Sequence, residues 1–174
     1  MTVLEDKLTL VTLTARRALE AMAEVGAEFG PILHIYTPEN EGGALVMLDD
    51  VPRQMGDPHL VGRSIGQMMG KDATEAFFIA DTYMLSETLG SPSEAMSRHA
   101  EGVSLQELFL VGVPGVYEAL SVLGMSQSGD ALLVSLLYVR DGNKIEWRED
   151  EMDSLPRAGV TGAGWELLSG VLGL

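Results

Sequence analysis

The chain has 174 residues, with 26 acidic side chains against 11 basic ones, no cysteine and a formal net charge of −15. That balance argues against a phosphate-backbone or anionic-membrane binder, because such partners need clustered Lys and Arg. The missing thiols exclude disulfides, a thiolate nucleophile and Cys-ligated zinc or iron–sulfur centres. A single domain is expected, since ~150 residues is a common domain size and buries enough surface to fold without a staple. Glu5 and Asp6 stand where a signal peptide would be basic, and no apolar run reaches ~18 residues, so a soluble cytoplasmic protein without membrane contact is expected.

Val11, Ala15, Ala18, Leu19, Met22 and Val25 recur at helical spacing in Ala-rich text. This predicts an amphipathic helix over about residues 6–28, apolar stripe on a sheet, stopped by Gly26, Gly30 and Pro31. Ile32–Thr37 and residues 44–48 are β-rich and flank Glu39-Asn40-Glu41-Gly42-Gly43, whose turn chemistry predicts a hairpin. Asp57-Pro58 is a helix start, with an N-cap acid and Pro at the first helical position. Leu60, Val61, Ile65, Met68 and Met69 give that helix an apolar face running to about Gly70. Gly62, Gly66 and Gly70 fall four apart along it. They form a seam for close packing on a neighbour, which weakens the helix by ~1 kcal/mol per Gly relative to Ala.

Glu75–Leu85 holds Phe77, Phe78, Ile79 and Ala80 with almost no polar interruption, which predicts a central strand apolar on both faces. Residues 86–104, rich in Ser, Pro, Glu and Gly, read as a long irregular stretch of the kind where function concentrates. Residues 106–113, 117–125 and 131–139 read as three further strands, with 126–130 joining the last two. Asp141-Gly142-Asn143 signals a turn before 144–148, where Ile145 and Trp147 alternate with charges as on an edge strand with one wet face. Residues 153–174 read as an acidic tail followed by a short helix carrying Trp165, Leu167, Leu168, Val171 and Leu172. Packing of that helix on its own sheet is favoured over docking to a partner, because apolar burial is available at home. The fold class expected is α+β: a mostly antiparallel sheet of five to seven strands, two main helices packed on it and a short C-terminal helix.

Gly62-Arg63-Ser64-Ile65-Gly66 matches the G-x-S-x-G pattern of serine hydrolases, and Asp81 and His99 follow in the order Ser, acid, His. The chemistry needs Ser64 on a strained strand-to-helix turn. Asp57-Pro58 instead places Ser64 mid-helix, and the β–α alternation of such folds is missing. A glycine seam with an incidental serine is the preferred reading. The histidines His34, His59 and His99 have no metal-site spacing. His34 shares a strand face with Ile32 and Tyr36 and reads as half-buried and hydrogen-bonded; His99 reads as a loop residue. Asp81 lies in the most apolar strand, which costs several kcal/mol unless it is paired; Arg98, Arg140 or a backbone donor are the candidates. The acidic run Glu146, Glu149, Asp150, Glu151 and Asp153 lacks EF-hand spacing and reads as a solvated face. No phosphate-cradling loop is present, so no cofactor and no metal are expected.

Ala80-Asp81-Thr82-Tyr83-Met84, Ser91-Pro92-Ser93-Glu94, Gln106-Glu107-Leu108 and Val139-Arg140-Asp141-Gly142 follow one another in a recognisable order. The order is similar to that of a group of small uncharacterised α/β proteins of actinobacteria and their phages. That group has a strand ending in a Glu-Ala-Trp-like triplet, a Ser-Pro-Ser-Glu-like loop, a Glu-initiated strand and a terminal hairpin. Here a Tyr replaces the Trp, and the loop before Gln106 is longer. The resemblance implies an α/β domain, a phage-encoded origin and the long loop as the functional region; it implies no activity.

The function expected is a small acidic accessory or interaction protein, without catalysis. It would meet a protein partner or small ligand through Asp81, Tyr83, Ser93, Glu94, Arg98 and His99, with no direct nucleic-acid binding. Homo-oligomerisation stays open. The alternatives are an acidic decoy of a nucleic-acid-binding protein and a serine hydrolase using Ser64, Asp81 and His99.

Overall fold

Thr2 and Glu5 form a reciprocal capping box, so α1 (Val3–Glu24) begins earlier than its apolar pattern alone implies. It ends at Val25, followed by Gly26 at a φ of 68°, a left-handed turn that glycine adopts without strain. In the computed structural model, which describes residues 2–50, 56–69, 72–86, 91–148, 153–156 and 163–174, four further helices and seven strands follow. β1 (Ile32–Thr37) and β2 (Asn40–Met47) make the expected hairpin. Pairing continues to Thr37↔Asn40, so residues 40–43 belong to β2 and not to the turn. α2 (Pro58–Met68) starts where Asp57 accepts hydrogen bonds from the backbone N–H groups of His59 and Leu60. β3 (Glu75–Leu85) is central, between β1 and β4 (Val116–Ser126).

Two expectations fail between β3 and β4. Residues 93–100 of the expected loop form α3 (Ser93–Ala100), supported by a one-turn Glu94–Arg98 ion pair at 3.1 Å. Residues 106–113, expected as a strand, instead hold α4 (Leu105–Leu110). A capping box decides it: the Ser104 hydroxyl accepts from the Glu107 N–H, and the Glu107 carboxylate accepts from the Ser104 N–H. Leu108 is thereby buried with Ala95 and Val116 beside Tyr83 and Leu85.

β5 (Ala131–Asp141), β6 (Lys144–Trp147) and β7 (Asp153–Pro156) complete an antiparallel sheet ordered β2-β1-β3-β4-β5-β6. β6 pairs with residues 138–141 of β5 and β7 with residues 132–135, so the two share its outer edge. The expected tail thus contributes a strand at 153–156. Of the acidic run, Glu149, Asp150 and Glu151 lie outside the described residues, as does Gly70 of the glycine seam.

Side chains alternate across a strand, so the sheet has two separate inner faces. α1 covers one with Leu4, Leu8, Val11, Ala15 and Leu19 against Phe77, Ile79, Leu120, Val122 and Leu136. α2 and α5 (Ala163–Leu172) cover the other, over Leu33, Ile35, Ala76 and Met125. The C-terminal helix therefore packs on its own sheet, as favoured. Among the described residues, no helix is long and apolar enough to cross a membrane.

Candidate functional site

The register of the central strands assembles a polar array on the α1 side of the sheet. Tyr83 lies opposite Glu118, Glu118 opposite Tyr138, and Asp81 opposite Leu120. Directly opposite residues share a face, and so do residues two apart on one strand. Asp81, Tyr83, Glu118, Tyr138 and Arg140 therefore project together from β3, β4 and β5. α1 ends before it reaches them, and the chain turns at Gly26. This leaves a cavity of about 510 Å³ over Asp81, Tyr83, Glu118 and Arg140. Its walls are Ala27, Glu28 and Phe29 from the α1–β1 link, Gln106 of α4, and Gly142 and Asn143 of the β5–β6 turn.

Arg140 organises the floor. Its Nε donates to Glu118 Oε1 at 2.9 Å, and its Nη2 donates to Asp81 Oδ2 at 3.0 Å and to the Tyr138 hydroxyl at 3.1 Å. The Tyr138 hydroxyl in turn donates to Asp81 Oδ1. A guanidinium offers its donors in a rigid planar fork, which suits the simultaneous engagement of two carboxylates. The carboxylates are mostly covered, with side chains 19% exposed at Asp81 and 11% at Glu118, while Arg140 is 36% exposed.

Burial and neighbouring charges shift the titration of several groups in the array. Burial raises the Asp81 pKa above its ordinary value, and the Tyr138 hydrogen bond and Arg140 charge only partly oppose it. Burial, then the hydrogen bond to Asp81, pushes Tyr138 far up, so its hydroxyl is a permanent donor. For Arg140 burial works against the charge, but the hydrogen bond to Glu118 and the neighbouring anions outweigh it and raise its pKa. Tyr83 is also raised, by burial and then by Glu118 and Asp81. The array thus holds a guanidinium, a hydroxyl donor and two carboxyl groups in strand-held positions.

The residues singled out in the sequence divide between places. Asp81 and Tyr83 lie at the cavity, and Arg140 is the partner Asp81 takes from the candidates considered. Ser93, Glu94, Arg98 and His99 lie exposed on α3, away from the cavity lining. Ser93 bonds Ser91, Arg98 is spent on Glu94, and His99 Nδ1 donates to the Val103 carbonyl at 2.8 Å. Ser64 is in the middle of α2, on the opposite face of the sheet from Asp81. Ser64, Asp81 and His99 do not form one site. His34 is half-buried, stacked on Tyr36 with ring centroids 4.6 Å apart, and its Nε2 is 2.9 Å from the Gly42 carbonyl oxygen.

Glu118, Tyr138, Glu28 and Gln106 were not anticipated as site residues. Glu118 carried a readable signal, an acid within an apolar strand, the same signal that marked Asp81. A second polar cluster sits at the other end of this face: Lys7 Nζ lies 2.5 Å from Glu75 and over the Tyr36 ring, and the Thr74 hydroxyl bonds Glu75 at 2.6 Å. It clasps α1 to β3. Among the described residues, no group of three or more His, Asp or Glu is placed to hold a metal ion. No family model, curated protein or solved structure matches this chain.

Proposed function

We propose that this chain is a non-catalytic binding protein whose recognition centre is the cavity over Asp81, Glu118 and Arg140. One observation carries the reading: charged groups from three adjacent strands converge, already hydrogen-bonded to one another, on the floor of an open cavity. Groups held by strands lose little freedom on binding, so they discriminate ligands at low entropic cost. The volume of about 510 Å³ is also in the range of small-molecule sites. On this reading the protein is a cytoplasmic accessory factor that senses or carries a small polar ligand. Kinship with small actinobacterial and phage proteins is part of this proposal and adds no activity to it.

Ala27 is exposed at the cavity wall and outside the hydrogen-bonded array, so Ala27→Trp should fill the entrance and leave the floor intact. A screen of polar small molecules by thermal shift tests the reading. A ligand at one hundred times its Kd adds about 2.7 kcal/mol, roughly 5–10 °C for a domain of this size. Such ligands should stabilise the wild type and fail to stabilise Ala27→Trp. Ligands that raise both proteins equally would remove the cavity from consideration. An acidic decoy, which would bind through its general surface charge, should instead keep its basic partner in the Ala27→Trp variant.

A further inference from the structure

The charge around the cavity is unbalanced, and the imbalance selects a ligand class. Glu28, Asp81 and Glu118 contribute three carboxylates to the lining against one guanidinium, Arg140. Arg140 has Nε on Glu118 and Nη2 on Asp81, so much of its field is spent holding those two acids in place. The C-terminal end of α1 opens onto the same space through Ala23, Gly26 and Ala27. A helix C-terminus carries roughly half a negative charge, and the last turn of α1 has no basic residue to offset it. Tyr83 and Phe29 also line the walls, and the aromatic ring is a class of surface that favours cations over anions.

We infer that the ligand of this cavity is an organic cation, bearing a protonated amine or guanidinium that meets Glu118 and Glu28 beside the Tyr83 ring. The inference rests on the cavity being the binding site and names what enters it. An anion would face a lining with a surplus of two carboxylates and the negative end of a helix. A neutral ligand would leave that surplus uncompensated. Arg140 is then a positioning residue: it keeps two neighbouring acids apart in fixed orientations and neutralises one of them. The same chemistry has two sources, a free amine or guanidine and the side chain of a basic residue in a protein partner.

Isothermal titration of the wild type, Ala27→Trp and Glu28→Gln separates these cases. Glu28 is exposed, so its amide variant keeps the fold. The probes are agmatine, 1,4-diaminobutane, succinate and a tripeptide with a central arginine and both ends blocked. The expected result is binding of at least one cationic probe to the wild type and none to Ala27→Trp. The Glu28→Gln variant should bind roughly two- to five-fold more weakly, as loss of one partly exposed charge partner implies. Succinate should not bind. Agmatine or diaminobutane alone assigns a free ligand, and the peptide assigns a partner's side chain. Failure of every cationic probe overturns the inference, as does binding of succinate that Ala27→Trp abolishes. Neither failure touches the broader reading, which falls only if Ala27→Trp blocks no ligand of any class.

Discussion

Asp81 brings a carboxylate onto the inner face of a central strand, and Tyr138 and Arg140 make the position tolerable by filling both its oxygens with donors. Burial still dominates, and the group holds its proton more tightly in the folded chain than in the unfolded one. Stability tracks the difference in bound protons between the two states. For a raised pKa, the contribution is fully present below the unfolded value and is lost as pH rises through the folded value. Lowering the pH from neutral toward the ordinary carboxylate range should therefore stabilise the wild type relative to Asp81→Asn. Urea midpoints of both proteins at several pH values measure this gap. A wild type that loses stability relative to Asp81→Asn on acidification would mean that Arg140, and not burial, controls the group. Asp81 was legible in the sequence because a lone acid in an apolar strand demands a partner. Glu118 carried the same mark. Tyr138 and Glu28 did not, because their importance depends on strand register and on where α1 stops, neither of which a local pattern encodes. Glu94, Arg98 and His99 belong to a segment whose composition reads as a loop and whose one-turn ion pair supports a helix. In α3 they are a solvated helix face with its own ion pair.

The pairing of α2 with α5 shows how an element can be locally weak and globally required. A Cβ added at Gly62 would stand 2.0 Å from the Leu167 carbonyl oxygen, and one at Gly170 would stand 2.1 Å from the His59 carbonyl oxygen. The two backbones touch, and no side-chain rotation relieves the clash. Gly62→Ala gains about 1 kcal/mol of helix propensity. Forcing the helices apart loses about 3 kcal/mol or more, since overpacking against rigid neighbours is at the upper end of its usual range. The expected net effect is destabilisation by about 2 kcal/mol in urea unfolding, with a smaller loss at Gly66, where the closest backbone atom would be 2.6 Å away. Stabilisation by Gly62→Ala would show that α5 does not sit on α2. The four-residue glycine spacing made this seam readable, as the long apolar periodicity made α1 and the unbroken apolar run made β3. Residues 106–113 misled because an apolar run of that length suits either a strand or a buried helix. The arbiter was present in the text, Ser104 followed three residues later by Glu107. β7 had no such marker: four residues beside an acidic run become a strand only because β6 leaves half the edge of β5 open.

At the scale of the whole molecule, the surplus of fifteen negative charges works against compaction while it draws cations inward. Several of the bases are already committed locally, Lys7 to Glu75, Arg98 to Glu94, and Arg140 to Asp81 and Glu118. The unmatched acids repel one another over distances comparable with the Debye length, about 10 Å in 0.1 M salt and about 3 Å in 1 M salt. Added sodium chloride should therefore stabilise the free protein, because it screens the repulsion of many exposed acids more than it weakens a few partly buried pairs. Between low salt and about 0.5 M the melting temperature should rise by roughly 3 °C, or about 1 kcal/mol for a domain of this length. The same screening should weaken a bound organic cation, whose attraction to the cavity has the same electrostatic origin. Salt thus acts in opposite directions on the two measurements: the free protein melts higher, and the increment added by the ligand shrinks. A hydrophobic or purely hydrogen-bonded ligand would keep its increment, so a thermal-shift series in sodium chloride tests the charge argument independently of any substitution.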